Sequence, residues 1–281
     1  MNARPPGAGS SFIVHRSSLS VMAILNVTPD SFSDGGVHFD RAKAIESALR
    51  MEQDGASMID VGGESTRPGS EAVSIEQELE RVIPVIEGIR ERSSVTISID
   101  TRKARVAQAA LDAGADIIND VSALRHDPEL RSLAARRGVP VILMHMRGEP
   151  RTMQEDIHYD NVVDDVAREL SEWRDDAMAA GIAEGQILID PGIGFGKTFD
   201  HNLEILARCE EFTRIAPVVI GASRKAFIGH LTGQAAGPAR MPGSLAAVAA
   251  AHRGGATIVR VHDVRETVDF LKVLGAIEAR R

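Results

Sequence analysis

Short apolar runs recur along this chain, and most of them end in a side chain that can hydrogen-bond or carry charge. Eight runs read as strands: VMAILNV (21–27), SMIDVGG (57–63), VTISID (95–100), DIINDV (116–121), PVILMH (140–145), QILIDP (186–191), PVVIGA (217–222) and TIVRVH (257–262). The stretches between them have helical period. RAKAIESALRMEQDG (41–55) can place Ala44, Ala48 and Met51 on one face and stop at Gly55. SIEQELERVIPVIEGIRERS (74–93) opens with Ser74 and Gln77 at capping-box spacing. Strands alternating with helices predict a parallel sheet. A doubly wound sheet needs a glycine-rich dinucleotide turn after its first strand. Here that strand runs into NVTPDSFSDGG, which is no such turn. The count of eight, the near-even spacing and the length of 281 residues predict an α/β fold of the (β/α)8 TIM barrel type. Residues 1–18, rich in Pro, Gly and Ser, are expected to be a loose tail, and 19–281 a single barrel domain.

In such a barrel the reacting groups sit at the C-terminal ends of the strands. The runs end in Asn26, Asp60, Asp100, Asn119, His145, Asp190, and Arg260 with His262, and the seventh precedes Ser223-Arg224-Lys225. Any one of these residues could be an ordinary turn former. A ring of them around one mouth points to a site. Asp60, Asp100 and Asp190 form its acidic side, with the Asn119 amide among them. Lys225, Arg260 and His262 are cationic or able to become so. No His-x-x-x-His or Cys-x-x-Cys spacing exists, which argues against zinc. Carboxylates beside an amide suit a flat heterocycle rich in N–H donors. Arg260 and His262, on the eighth strand, suit a phosphate or pyrophosphate, and Asn26 next to them could bind Mg²⁺ through its carbonyl oxygen. The loops TPDSFSDGG (28–36) and ESTRPGSEA (64–72) offer Asp34 and Arg67 to a ligand. His145 reads as a satisfied histidine, and Glu64 as an anchor for its own loop.

The partner classes narrow with composition. Net charge is 32 − 40 = −8, which disfavours nucleic acid and anionic membranes as partners. Aromatic residues make up only 4%, so base stacking is not expected to dominate binding. Cys209 is the single cysteine, expected as packing filler on a helix; no intrachain disulfide can form, which suits a cytoplasmic, reducing setting. MNARPPGAGSSF lacks the apolar centre of a signal peptide, and no apolar run is long enough to cross a membrane.

These motifs resemble the dihydropteroate synthase family. The carrying strings are ILNVTPDSFSDGG (24–36), IDVGGESTRPGS (59–70), SIDTRKARVA (98–107), GADIINDVSAL (114–124), LMHMRGEPRTMQ (143–154), LIDPGIGFGKTFDHN (188–202), GASRKAFIG (221–229) and RVHDV (260–264). The resemblance implies an enzyme that joins 6-hydroxymethyl-7,8-dihydropterin pyrophosphate to 4-aminobenzoate and releases pyrophosphate. It implies a pterin pocket of Asp60, Asp100, Asn119, Asp190 and Lys225, with Met144 and Phe195 packed against the ring. It implies that Asn26, Arg260 and His262 hold the pyrophosphate, with Mg²⁺ on Asn26. Thr66, Arg67, Ser223 and Lys225 would border the aminobenzoate, with Phe195 nearby. Asp100, Lys225 and, on the first loop, Asp34 carry the catalytic expectation. A homodimer is implied as well. One departure is Ala226, where relatives often carry a larger or hydroxylated residue. The stretch GQAAGPARMPGS (233–244) has no readable role. Two rivals are a pterin barrel that serves a corrin-dependent methyltransferase and a non-catalytic paralogue. The first has no use for GESTRPG and SRK, and the second should show broken motifs; none is broken.

Overall fold

In the computed structural model of the chain, residues 19–28, 40–65, 70, 73–149 and 151–280 are described. The tail 1–18 lies outside them. Eight parallel strands form one sheet: β1 (Ser20–Asn26), β2 (Met58–Gly62), β3 (Thr96–Asp100), β4 (Ile117–Asp120), β5 (Val141–Met144), β6 (Ile187–Asp190), β7 (Val219–Ile220) and β8 (Ile258–Val261). Neighbours in sequence are neighbours in space, and β8 pairs with both β1 and β7. The ring closes between β6 and β7 by a single parallel bridge, Ile189 to Val218, and by the Ile189 N–H bond to the Pro217 carbonyl at 3.0 Å. Here the run 217–222 shortens to a two-residue strand. The fold is the (β/α)8 barrel that the alternation predicts.

Helices follow the strands: α1 (Arg41–Gln53), α2 (Ile75–Arg90), α3 (Ala104–Asp112), α4 (Pro128–Arg137), α5 (Val162–Ala179), α6 (Phe199–Ala207), α7 (Ala226–Thr232), α8 (Met241–Arg253) and α9 (Val264–Glu278). The capping box expected at the start of α2 is present. The Ser74 hydroxyl accepts from Gln77 N at 3.2 Å, and the Gln77 side chain accepts from Ser74 N at 3.2 Å. Cys209 falls just beyond α6, in a 3₁₀ turn (Cys209–Arg214), fully buried, and burial pushes its thiol up to about 12. That makes it packing material rather than a nucleophile.

The period-two alternation of each strand sorts its side chains. Outward positions such as Ile59, Ile97, Ile118, Leu143 and Ile189 pack under the helices in the main core. Inward positions near the strand starts form a second cluster: Met22, Met58, Ile117, Ile142, Leu188, Val219 and Ile258, one from each of seven strands. β3 instead supplies Ser98, buried, its hydroxyl without a partner among the described residues. Both faces of the early strand positions are thus apolar, which is why the runs read as continuous rather than alternating. Two residues further along β2, β4, β6 and β8 the inward positions are Asp60, Asn119, Asp190 and Arg260. The apolar plug is therefore the floor on which a polar layer stands. Ile117→Ala should open a cavity in that floor. The expected cost is about 2–5 kcal/mol of unfolding free energy, read by urea denaturation, with the fold retained.

Candidate active site

The polar layer is built around one cation. Arg260 donates from Nε to Asp60 Oδ2 at 2.6 Å and from a terminal nitrogen to Asp100 Oδ2 at 2.9 Å. Asp60 is fully buried, and Asn119 Nδ2 donates to both of its oxygens at 3.3 and 3.2 Å. Register explains the convergence: Asp60 sits opposite Ser98, and Asp100 opposite both Gly62 and Asn119, on adjacent strands. Asp190, on the far side of the barrel, accepts from Gly192 N at 2.7 Å through Oδ1.

This wiring decides what is left for a ligand. Asn119 spends its N–H₂ on Asp60, so its carbonyl oxygen is the free end. Among the described residues, Asp100 Oδ1 and Asp190 Oδ2 take no hydrogen bond, and Asp60 has its own partners already. The barrel thus offers three acceptors to one guest, with Lys225 as a donor beside them. Lys225 lies with Nζ 4.1 Å from the centre of the Phe195 ring, a cation–π contact. Phe195 belongs to a small apolar cluster with Val121, Met144, Met146 and Met153, a wall against which a flat ring can lie.

Burial and crowding tune the charges. Burial first, then the neighbouring Asp60, raises the Asp100 carboxyl to about 7, although Arg260 pulls the other way. Burial also raises Asp190. Burial and then Arg260 lower the Lys225 ammonium to about 8, against the pull of Asp190. Burial would lower Arg260, but Asp60 and then Asp100 outweigh it and keep the guanidinium charged.

Most of the expected residues lie among the described ones. Asn26 ends β1, with its backbone opposite Gly62. Asp60 and Arg260 sit one step deeper than the strand ends at which the sequence put them, each at the third position of its strand. His262 is not a ready cation: burial, then Arg224, lowers it to about 4. Its Nδ1 lies 3.0 Å from Ser223 Oγ, which accepts from His262 N at 3.1 Å. With the hydroxyl hydrogen directed to Nδ1, the free Nε2–H is a neutral donor for an anion. Asp34, Thr66 and Arg67 lie outside the described residues. Glu64 anchors its loop as expected, accepting from Lys103 Nζ at 2.7 Å. His145 is a satisfied histidine, bonded at both ring nitrogens.

Two arrangements join residues far apart in the sequence and escape the motif reading. Arg224 holds a left-handed backbone, φ 58°, between Ser223 and Lys225. It is clamped by Asp263, by the Ser244 hydroxyl (2.9 Å from Arg224 N) and by Arg240 at its carbonyl (3.2 Å). Through Arg240 the stretch 233–244, silent as a sequence, braces this turn. The second arrangement centres on Lys197, buried beside His145. Among the described residues no three His, Cys, Asp or Glu side chains converge as a metal cage.

A family model described as pterin binding enzyme matches residues 22–262. The dihydropteroate synthase of Escherichia coli (strain K12) is 50% identical over 258 residues, covering 91% of this chain and 90% of that protein. The Xanthomonas albilineans dihydropteroate synthase solved with 4-aminobenzoic acid superposes with a TM-score of 0.89 at 47% identity, over 94% of each chain. The same organism's enzyme in complex with 7,8-dihydropteroate gives 0.85 at 44% identity, over 94% of this chain and 95% of that one. With this much of the chain matched, it belongs to the pterin binding enzyme family, among its dihydropteroate synthases.

Proposed function

We propose that the chain condenses 6-hydroxymethyl-7,8-dihydropterin pyrophosphate with 4-aminobenzoate to give 7,8-dihydropteroate and pyrophosphate. The observation that carries this reading is the set of three acceptors free among the described residues, Asn119 Oδ1, Asp100 Oδ1 and Asp190 Oδ2, beside Lys225 and above an apolar floor. They match the N–H edges of a pterin, and a ring lacking those donors would leave buried acceptors unpaired.

The pterin seats between the acceptors and the wall of Met144 and Phe195. The bond from its methylene carbon to the ester oxygen breaks, and the electron pair leaves with the diphosphate. The positive charge spreads into the electron-rich ring, where ionised Asp100 stabilises it. The arylamine nitrogen of 4-aminobenzoate then bonds to the methylene and loses a proton to solvent. Its lone pair is already free, so no strong general base is needed. Arg260 and the His262 Nε2–H face the departing diphosphate, and Ser223, Lys225, Thr66 and Arg67 border the aminobenzoate. Asp34 orders the aminobenzoate side from the first loop.

Mg²⁺ suits this donor set in one way only. It keeps several waters and takes one or two protein oxygens plus phosphates. The Asn26 carbonyl oxygen supports an ion that arrives with the diphosphate, not a resident all-protein site. When bound, the ion neutralises charge on the leaving group. A homodimer and a reducing, cytoplasmic setting are part of the same proposal; no helix among the described residues is long and apolar enough to cross a membrane.

Three outcomes follow from these roles. Pyrophosphate release by purified protein should require 4-aminobenzoate and fall at least about a hundredfold in Lys225→Ala and Asp100→Asn; release without the amine would point to hydrolysis instead. Chelation with EDTA should abolish release while the pterin ring alone still binds in calorimetry. The third outcome concerns pH. Asp100 must be ionised to stabilise the cation, so kcat/KM for the pterin substrate should fall as pH drops through about 7. Lys225 must be protonated, so it should fall again as pH rises through about 8. Asp100→Asn should lose the acid limb of that profile.

A further inference from the structure

Lys197 lies outside the polar layer, in the loop between β6 and α6, and is only 2% exposed. Its Nζ has three acceptors: His145 Nδ1 at 3.0 Å, the Phe195 carbonyl at 3.0 Å and the His145 carbonyl at 3.4 Å. Burial lowers the Lys197 ammonium to about 7, and in its protonated form its three N–H groups match these three acceptors. Burial, then Lys197 itself, holds His145 down at about 3, so the imidazole is neutral, accepts at Nδ1 and donates from Nε2 to Glu169 at 3.1 Å. Glu169 is fixed in turn by Arg147. Trp173 stacks on His145 with ring centres 5.2 Å apart. From the other side, the Tyr159 hydroxyl donates to the Gly196 carbonyl at 3.0 Å. The contact between the two loops is so close that a Cβ on Gly192 would sit 1.9 Å from the His145 carbonyl oxygen.

Stability alone is a poor account of such a network. Well-packed apolar side chains usually serve a buried site as well as ion pairs do, or better. What this one holds in place is the backbone of Phe195, whose ring faces the Lys225 ammonium in the pocket. We propose that Lys197 is a positioning residue for the reaction: by clamping the Phe195 carbonyl to the loop after β5, it sets the ring that Lys225 and the substrate lean on. The inference rests on the synthase reading above and assigns a role to a residue that touches neither substrate.

A double-variant cycle tests it with the full chain and both substrates. Phe195→Ala defines a signature: which of the two KM values rises, and how far. Lys197→Met should raise the same KM by about tenfold, with kcat changed less, and should leave the other KM alone. In the double variant the Lys197 effect should vanish, because its target is already gone. Tyr159→Phe, which removes only the second clip, should show the same signature more weakly, and it carries the test should Lys197→Met not fold. Effects that multiply in the double variant overturn the proposal. So does a Lys197→Met or Tyr159→Phe protein that loses melting temperature while both KM values stay put. If the unaltered protein releases no pyrophosphate at all, the synthase reading fails before any variant is compared.

Discussion

A single guanidinium inside the barrel organises the site. Asp60 is fully buried and Asp100 nearly so, and each would be costly to ionise alone in that setting. Arg260 bonds to both of them, and Asn119 gives Asp60 its remaining hydrogen bonds. The consequence is directional. Asp60 is fully occupied and acts as the keystone that aims Arg260 and Asn119. Asp100 is half occupied and keeps one oxygen for a guest. Burial first, and then the neighbouring Asp60, raises the Asp100 carboxyl to about 7, and Arg260, shared between the two carboxylates, offsets this only in part. That is a useful state for a group asked to respond when positive charge develops beside it.

The same logic runs down the strands. A period of two sends alternate residues into the lumen, and β2, β4, β6 and β8 each give an early inward position to the apolar plug and the next one to the polar layer. The plug excludes water from beneath the carboxylates, which strengthens every interaction above it. The loops then add what strands cannot. The strained Arg224 backbone presents Ser223 and Lys225 together, and the clip at Lys197 holds Phe195 opposite. Neither Arg224 nor Lys197 belongs to the polar layer itself, yet each acts on Lys225 or on the ring it faces.

Much of this is readable from the residues alone. The strand runs, the count of eight and the Ser74–Gln77 box follow local rules, so the fold is accessible without tertiary information. The ring of Asp, Asn, Lys and Arg is visible because barrel strands all end at one mouth. Three features are not readable. Depth is one: Asp60 and Arg260 read as strand ends but lie a step inside, because β2 and β8 continue past them. Charge state is another: His262 looks cationic by type, but its burial beside Arg224 leaves it neutral. The third is pairing across long separations. Nothing local links Lys197 to His145, or Arg224 to Asp263. The Gly-rich stretch before Lys197 is the one available hint, since three glycines with positive φ (Gly192, Gly194 and Gly196) mark a backbone pressed against another.

The central claim is that this polar layer is the pterin pocket and that its acceptors are set by Arg260 and Asp60. The most direct measurement is a crystal structure of the protein with a bound pterin that lacks the diphosphate. The ring edges should lie within hydrogen-bond distance of Asn119 Oδ1, Asp100 Oδ1 and Asp190 Oδ2, with Arg260 still paired to Asp60. A pterin bound elsewhere, or one that displaces Arg260 from Asp60 to take its place, would contradict the claim.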